Sequence, residues 1–278
     1  MTPQIFVPIH TYPDGNSERL GHHAAAVARH LHGEVRALVL NGDFPRVSSA
    51  LGNILIDVPA MIAEAKAKCQ ERGATLVRAM ESVMASHGIA FSAAEAECLP
   101  ALVGDTISYN ARYYDLTLIG LRTDDATLRA SAEAAVFCSG RPTLLVPEEA
   151  PVASIGHVML AWDGSRVAAR AVADAREFLA RARSVTIASV VDEKELPDSS
   201  GLSRLADHLS RHELRAEVVR LESRGRPIAE TLQGAARERG AGLLVMGGFG
   251  HSRMRDFVLG GATQGVLASL KMPVMLSH

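Results

Sequence analysis

The sequence predicts an α/β protein made of two similar halves, each built on a parallel sheet. Short β-rich runs of four to seven residues alternate with helical patterns along the chain, which is typical of consecutive βαβ units. The same order of elements repeats after a charged and proline-containing linker, 148–151. A chain of 278 residues is long enough for two domains of ordinary size.

In the first half, each element is predicted from its periodicity and its boundary residues. The opening strand is a β-rich run, the second strand is closed by Asn41-Gly42-Asp43, and the last follows Arg141-Pro142. A turn-rich segment, 44–57, precedes a long helical pattern that tolerates Gly73. The predicted strands are 5–9, 35–40, 116–119 and 143–146, and the predicted helices are 21–31, 58–85, 101–113 and 130–137.

The second half repeats the same order of strands and helices with shorter connections. Ser165 is a good N-cap residue, and the pattern after it places apolar residues on one helical face. A further helical pattern begins just after Gly260-Gly261. The predicted strands are 158–161, 185–191, 216–221, 243–246 and 274–276, and the other predicted helices are 167–182, 202–212 and 228–239.

Offsets between matching positions support an internal repeat. The segments 100–120 and 227–247 each run from a proline through a helix to a buried strand and a glycine, with an offset of 127. At the opening strands the offset is 153, so the first half carries about 26 extra residues, which fall within 41–87. At the closing prolines the offset is 131, which makes the second half four residues longer within 247–263.

The bulk composition excludes several classes of function. The chain is 47% hydrophobic and 22% charged with a net charge of −2, which suits a soluble globular protein. Near-neutral charge gives no general reason to bind nucleic acid or an anionic membrane, and no apolar run reaches the roughly 20 residues that span a bilayer. The N-terminus lacks a signal-peptide pattern, and the three cysteines lack metal or disulfide spacing. We expect a cytoplasmic protein with reduced thiols.

The most informative stretch is MGGFGHSRMRDFVLGGAT, which spans 246–263. A buried strand breaks into Gly247-Gly248-Phe249-Gly250, and nine residues then separate Gly250 from Gly260 at the start of a helix. Strand, glycine turn, loop and helix start can form a phosphate cradle, because backbone N–H groups approach an anion most closely where no Cβ intervenes. The pattern matches neither the P-loop nor the dinucleotide fingerprint. The alternative to a phosphate cradle is that these glycines serve only to allow a tight turn.

The matching stretch of the first half, 120–125, has one glycine and two adjacent carboxylates, Asp124 and Asp125. A triphosphate would meet repulsion there. We therefore expect the two halves to share a fold, and only the second half to keep a site.

These residues resemble the universal stress protein family. Its nucleotide-binding members carry G-x-x-G, nine residues, then G followed by Ser or Thr, and an Asp at the end of the first strand, which Trp162-Asp163-Gly164-Ser165 supplies here. The resemblance covers nearly the whole chain as a tandem pair. It implies two Rossmann-like domains, each a five-stranded parallel sheet flanked by helices, with a degenerate domain at 1–148 and a nucleotide-binding domain at 152–278.

The resemblance also implies the ligand, which is ATP, with ADP or AMP as alternatives and with or without Mg²⁺. Asp163 would meet the ribose or adenine side, Val190 would offer its backbone to the adenine, and Gly247 and Gly250 would shape the turn. The remaining implied contacts, at the end of the first strand and around the phosphates, are Ala161, Gly260, Gly261, Ala262 and Thr263. Gly261 stands where the family has Ser or Thr, so one hydroxyl contact to phosphate is lost.

Three functions are compatible with this sequence. We expect a nucleotide-responsive binding module rather than an enzyme, with the two domains forming an internal pseudo-dimer and a homodimer as a further assembly. The first alternative is a slow ATPase or nucleotide-dependent transferase, although no catalytic triad or carboxylate pair stands out. The second is an interaction scaffold without nucleotide, in which Asp163-Gly164-Ser165 serves only as a turn and N-cap.

Overall fold

The computed structural model describes residues 1–45, 57–192, 201–248 and 261–278. The first half contains β1 (Gln4–His10), α1 (Arg19–Leu31), β2 (Glu34–Gly42), α2 (Val58–Ser86), β3 (Phe91–Cys98), α3 (Val103–Ala111), β4 (Leu116–Leu121), α4 (Ala126–Cys138) and β5 (Thr143–Pro147). The second half contains β6 (His157–Ala161), α5 (Arg166–Asp174), α6 (Arg176–Ala180), β7 (Ser184–Val190), α7 (Gly201–Ser210), β8 (Ala216–Leu221), α8 (Ile228–Glu238), β9 (Leu243–Gly247), α9 (Gly261–Ala268) and β10 (Val274–Ser277).

The ten strands form one sheet in the order β3-β2-β1-β4-β5-β10-β9-β6-β7-β8. Within each group of five strands every pairing is parallel, and the second group repeats the order of the first. The predicted α/β class and the two five-stranded parallel arrangements are therefore confirmed. The division at residues 148 and 152 stays a prediction.

The two groups of strands are joined by an antiparallel pairing between β5 and β10. Leu144 lies opposite Met275 and Leu145 opposite Val274, and all four side chains are fully buried. Each of these strands would otherwise present an unpaired apolar edge to water, and pairing them removes both edges at once.

Helices cover both faces of the sheet, and two hydrophobic clusters lie beneath them. The first cluster combines strand residues with α1, α2, α5, α6 and α7, and the second combines them with α3, α4, α8 and α9. Neighbouring strand residues alternate between the two: Ile5 and Val7 belong to the first cluster and Phe6 to the second. This alternation follows from the two-residue period of a β-strand and explains the nearly continuous apolar character of the central strands.

Two elements differ from the sequence prediction. β3 was not predicted, because its sequence FSAAEAEC is rich in small and charged residues and most of it is exposed at the edge of the sheet. Its ladder with β2 holds it in place. The single helix predicted at 167–182 is two helices, α5 and α6, that meet at the fully buried Ala175. Most of the predicted turn-rich segment 44–57 lies outside the described residues.

The longest helix accounts for most of the extra length of the first half. α2 has 29 residues, whereas α7, at the matching position of the second half, has 10. α2 buries Leu76, Met80 and Met84 in the first cluster, and Met80 packs so closely on α1 that a Cβ added to Gly21 would lie 3.1 Å from its Cγ. In the part of the chain that the structure describes, no helix is long and apolar enough to cross a membrane.

The α1–α2 contact gives a direct test of this packing. Met80→Ala should lower the free energy of unfolding by about 2–5 kcal/mol, because it leaves a cavity at a side chain that is 2% exposed. Met61→Ala, on the same helix but 59% exposed, should change it by less than about 0.5 kcal/mol. Urea denaturation of both variants provides the measurement. An equal loss of unfolding free energy in both would contradict the described packing of α2 on α1.

Candidate functional site

Three of the predicted site residues lie at the carboxyl ends of three adjacent strands. In the order β9-β6-β7, Gly247 ends β9, Ala161 ends β6 and Val190 ends β7. The chain reverses its direction of winding between β6 and β9, which makes the crevice between Ala161 and Gly247 the topological switch point of this half. Ligands of open α/β sheets bind at such crevices. The structure therefore brings together three positions that lie far apart in sequence.

Asp163 sits in a tight turn between β6 and α5. Its Oδ1 accepts a hydrogen bond from the backbone N of Ser165 at 2.9 Å, and Gly164 adopts a φ of +73°. Ser165 Oγ in turn accepts from the backbone N of Ala168 at 3.2 Å, so the predicted N-cap is confirmed. The turn leaves the Asp163 side chain exposed at the sheet edge, beside the first turn of α5.

Gly247 is required by a close approach of two backbones. A Cβ at this position would lie 2.7 Å from the backbone N of Ala168 and 2.7 Å from the carbonyl carbon of Val167. These atoms belong to the first turn of α5. Any larger residue would therefore push the end of β9 away from the helix that Asp163 and Ser165 begin.

Gly248 lies where the second half meets the first. Its N–H donates to the carbonyl of Ser277 at 2.7 Å, and its carbonyl lies 2.9 Å from Nδ1 of His278. The ring of His278 packs edge-on against Phe137 of α4 at 5.4 Å, and a Cβ on Gly248 would lie 3.1 Å from Val136. The start of the glycine-rich segment is thus supported by α4 of the other half.

The hydrogen bonds of Asp192, which follows β7, were not predicted from the sequence. Asp192 accepts hydrogen bonds from the backbone N of Ser223 at 2.8 Å, from Ser223 Oγ at 3.0 Å and from the backbone N of Arg224 at 3.0 Å. These donors lower the pKa of Asp192, with the Ser223 N–H as the largest cause. These hydrogen bonds connect the residue after β7 to the segment after β8. They therefore also hold the half-buried Val190, at the end of β7, in place. Only the three-dimensional pairing of β7 with β8 reveals this contact.

Three of the remaining predicted residues lie at the start of α9. Gly261 is exposed, with no atom of the described residues within 4 Å of a Cβ built on it, Ala262 is partly buried, and Thr263 is 3% exposed. Gly250 and Gly260 lie outside the described residues. The role of Gly260, Gly261, Ala262 and Thr263 in holding phosphates, and that of Gly250 in shaping the turn, stay predictions.

In the first half, the matching crevice between β1 and β4 is closed by Arg122. Its guanidinium donates to the carbonyl of Gly15 and to Asp125 Oδ2 at 2.6 Å, and it lies 3.6 Å from Glu148 Oε2. Asp125 also caps α4 by accepting from the backbone N of Leu128 at 3.0 Å. The carboxylate that the sequence marks as repulsive to phosphate is thus paired internally with an arginine.

Side chains from other elements hold the loop over this crevice. Arg72 of α2 donates to the carbonyls of Thr11 and Pro13 at 2.6 and 2.7 Å, and Asn16 Oδ1 accepts from the backbone N of His10 at 2.6 Å. Glu148 Oε1 accepts from the backbone N of Ser17, next to the start of α1, at 2.6 Å. The first half therefore fills its own switch point with protein groups.

Two buried groups of this cluster have opposite pKa displacements. Burial lowers the pKa of His10 from 6.5 to about 4; the neighbouring Asp125 opposes this and Arg122 adds to it. Burial raises the pKa of Glu148 from 4.5 to about 7, against the opposing effects of the Ser17 N–H and Arg122. Both displacements arise because a low-dielectric interior disfavours the charged form.

Two of the histidines of α1 are packed against other protein groups. His23 is buried, and His30 stacks on Phe178 of α6 with ring centroids 5.8 Å apart. Burial is the main cause that lowers the pKa of both imidazoles. Among the described residues, no group of three or more His, Cys, Asp or Glu side chains is arranged to hold a metal ion.

The chain is similar in sequence to known proteins. Residues 154–278 match the model of the universal stress protein family. A universal stress protein of Thermus aquaticus, encoded beside a sulfhydrylase gene, is 34% identical over 133 residues, which is 43% of this chain and 96% of that protein.

Solved structures match the fold over nearly the whole chain. A universal stress protein of Archaeoglobus fulgidus superposes with a TM-score of 0.72 at 18% identity, covering 99% of this chain and 97% of that one. A protein of Pseudomonas aeruginosa described as a universal stress protein gives a TM-score of 0.55 at 17% identity, covering 99% and 93%.

The fold is that of an open α/β protein, a class whose ligands bind at the carboxyl ends of the strands. The chain belongs to the universal stress protein family. The predicted family membership is confirmed.

The opposed pKa displacements in the first half predict an unusual pH dependence of stability. Glu148 contributes stability that falls between pH 4.5 and about 7, because the folded state binds the extra proton there, whereas His10 contributes stability that rises between about 4 and 6.5. Each displacement corresponds to about 3 kcal/mol, so the two nearly cancel in the wild type. Relative to wild type, Glu148→Gln should become more stable as pH rises from 4.5 to 6.5, and His10→Gln less stable.

Urea denaturation at pH 4.5, 5.5 and 6.5 measures these slopes. The double variant is the control, because it lacks both groups and should regain the pH slope of the wild type. Identical slopes in all four proteins would show that neither pKa differs between the folded and the unfolded state.

Proposed function

We propose that the second half binds one molecule of ATP, or of ADP or AMP, at the crevice between β6 and β9, and that the protein acts as a nucleotide-responsive binding module. The observation that carries this proposal is the convergence of Ala161, Asp163, Val190 and Gly247 at the switch point. The base and ribose lie against Asp163 and Val190 in this proposal. The phosphates, with or without Mg²⁺, extend towards the start of α9.

The energetic case rests on backbone donors. The exposed start of α9 offers N–H groups and the positive end of a helix dipole, which together favour an anion. No atom of the described residues crowds Gly261, so they leave the backbone donors there accessible although the family's hydroxyl is missing. An exposed carboxylate at Asp163 suits the neutral, hydroxyl-rich end of a nucleotide.

The contacts of Gly248 suggest how binding is transmitted. Gly248 begins the segment that would approach the phosphates, and it is held by Ser277 and His278 and packed against α4 of the first half. A change in the backbone of Gly248 on binding would therefore reach the junction between the two groups of strands.

The geometry favours a binding module over an enzyme. The buried groups with strongly displaced pKa values among the described residues, His10 and Glu148, lie in the first half, in a crevice already filled by Arg122. In the second half Asp192 accepts three hydrogen bonds, and its lowered pKa makes it a poor general base. Slow hydrolysis or transfer to a partner remains the alternative that a turnover assay addresses, and the scaffold alternative predicts that no nucleotide binds.

The closure of the first crevice predicts one nucleotide for each chain. Isothermal titration with ATP should give a stoichiometry near one. Asp163→Asn should weaken binding about tenfold, because it removes a charge-assisted hydrogen bond. The matched variant Asp14→Asn, at an exposed position after β1, should leave affinity unchanged. Two equivalents of nucleotide, or equal effects of both variants, would contradict the assignment to the second half.

Restoring the family residue at the start of α9 should improve the site. We expect Gly261→Ser to tighten ATP binding by roughly threefold to thirtyfold, the equivalent of about 1–2 kcal/mol for one hydrogen bond to a charged group. The described residues leave room for the side chain at Gly261. Gly261→Ala is the control, since it adds a Cβ without the hydroxyl. If neither the wild type nor Gly261→Ser binds nucleotide in the same titration, the scaffold function replaces the proposal.

A further inference from the structure

The end of β7 is fixed on the side of β8 and extends past the end of β6. On the β8 side, the backbone N of Val191 donates to the carbonyl of Leu221 at 2.9 Å. On the β6 side, the ladder ends where Ala161 pairs with Ala188, and the backbone N of Trp162 donates to the Ala188 carbonyl at 2.8 Å. The last residues of β7 therefore have a strand neighbour on one side alone.

Val190 directs its backbone polar groups to the side without a paired strand. The N–H and C=O groups of successive strand residues point to opposite edges of the strand. Because the N–H of Val191 is directed to β8, the N–H and C=O of Val190 are directed to β6, beyond its last paired residue, Ala161. In the described part of the chain, no residue of β6 is paired with Val190. The ladder thus leaves one donor and one acceptor for a ligand at the strand ends.

The carboxylate of Asp192 continues the β7–β8 connection after the backbone ladder stops. Val190 and Leu221 are the last paired residues of the two strands. The backbone N–H groups of Ser223 and Arg224 then donate to Asp192 at 2.8 and 3.0 Å. Hydrogen bonds to a charged acceptor are stronger than those between neutral groups. They restrain the backbone immediately after Val190, so the orientation of the Val190 carbonyl depends on Asp192.

We propose that Asp192 is a positioning residue through which the nucleotide site selects adenine over other purines. This inference rests on the proposed function. The C=O of Val190 accepts a hydrogen bond from the amino group at C6 of adenine, and its N–H donates to the neighbouring ring nitrogen. Guanine carries a carbonyl oxygen at C6, which sets two acceptors against each other. Such discrimination requires a fixed carbonyl, because a mobile one turns away from the guanine oxygen at little cost.

Removal of the amino group from the ligand measures its contact. In isothermal titration, the wild type should bind ATP about tenfold tighter than purine riboside triphosphate, which has hydrogen at C6, and more than about tenfold tighter than GTP. In Asp192→Asn the new N–H2 group faces a backbone N–H in either orientation, so at least one hydrogen bond is lost. The preference for ATP over purine riboside triphosphate should then fall to about twofold.

The matched control is Glu222→Gln. It removes a carboxylate from the same segment after β8, but the ion pair of Glu222 with Arg224 is exposed, at 3.2 Å with side chains 60% and 78% accessible. Such pairs contribute little. This variant should keep the tenfold preference for ATP, about as in the wild type.

Amide hydrogen exchange tests the same geometry without relying on affinity. In the free protein, the N–H of Val191 should exchange about tenfold faster in Asp192→Asn than in the wild type, because the end of β7 opens more often. Saturation of the wild type with ATP should slow exchange of the Val190 N–H, which then has an acceptor. The amide of Leu160, within β6, is the internal control and should not respond to the substitution.

A purely structural role for Asp192 lowers the affinity for ATP, purine riboside triphosphate and GTP by the same factor, and that result would overturn the proposal. Unchanged exchange at Val191 in Asp192→Asn would overturn it as well. If the wild type binds ATP and purine riboside triphosphate equally, Val190 does not read the amino group, and nucleotide binding by the second half still stands. If the wild type binds none of the three ligands, the proposed function itself fails, and this inference fails with it.

Discussion

The antiparallel pairing of β5 with β10 is the interaction on which the rest of the structure depends. Both strands are buried on their two faces, so neither could end a sheet in water without exposing backbone groups and apolar side chains. Their pairing makes one ten-stranded sheet, over which each hydrophobic cluster extends into both halves. It also brings α4 against Gly248, where the glycine-rich segment begins.

Within this shared frame, the two halves use the same crevice differently. In the first, Arg122 and Glu148 occupy the space between the loops, and Arg72 ties the covering loop down from α2. In the second half, β9 ends in Gly247, whose backbone lies against the first turn of α5, and the start of α9 is exposed. Burying charged groups is costly unless they are paired, which is why the first crevice contains a network rather than a lone arginine.

Much of this fold could be predicted from the sequence, because buried parallel strands and amphipathic helices carry strong periodic signals. β3 could not, since an exposed edge strand of small and charged residues gains its stability from the ladder with β2. For the candidate site, Gly247 was predicted from motif spacing and Asp163 from its context at a strand end, and the contact of Gly247 with α5 gives a physical reason for that glycine. The Asp192–Ser223 contact and the Arg122 network depend on which strands are neighbours, and no local pattern encodes that.

Because the two halves belong to one chain, the contact between them does not depend on the concentration of the protein. A sheet completed by two separate chains dissociates on dilution, and a contact that crosses its middle is lost with it. Here β5 and β10 belong to one chain, so the packing of Val136 and Phe137 against Gly248 and His278 forms at a high effective concentration. The support that α4 gives to the second half is therefore the same at a few copies per cell as at high abundance.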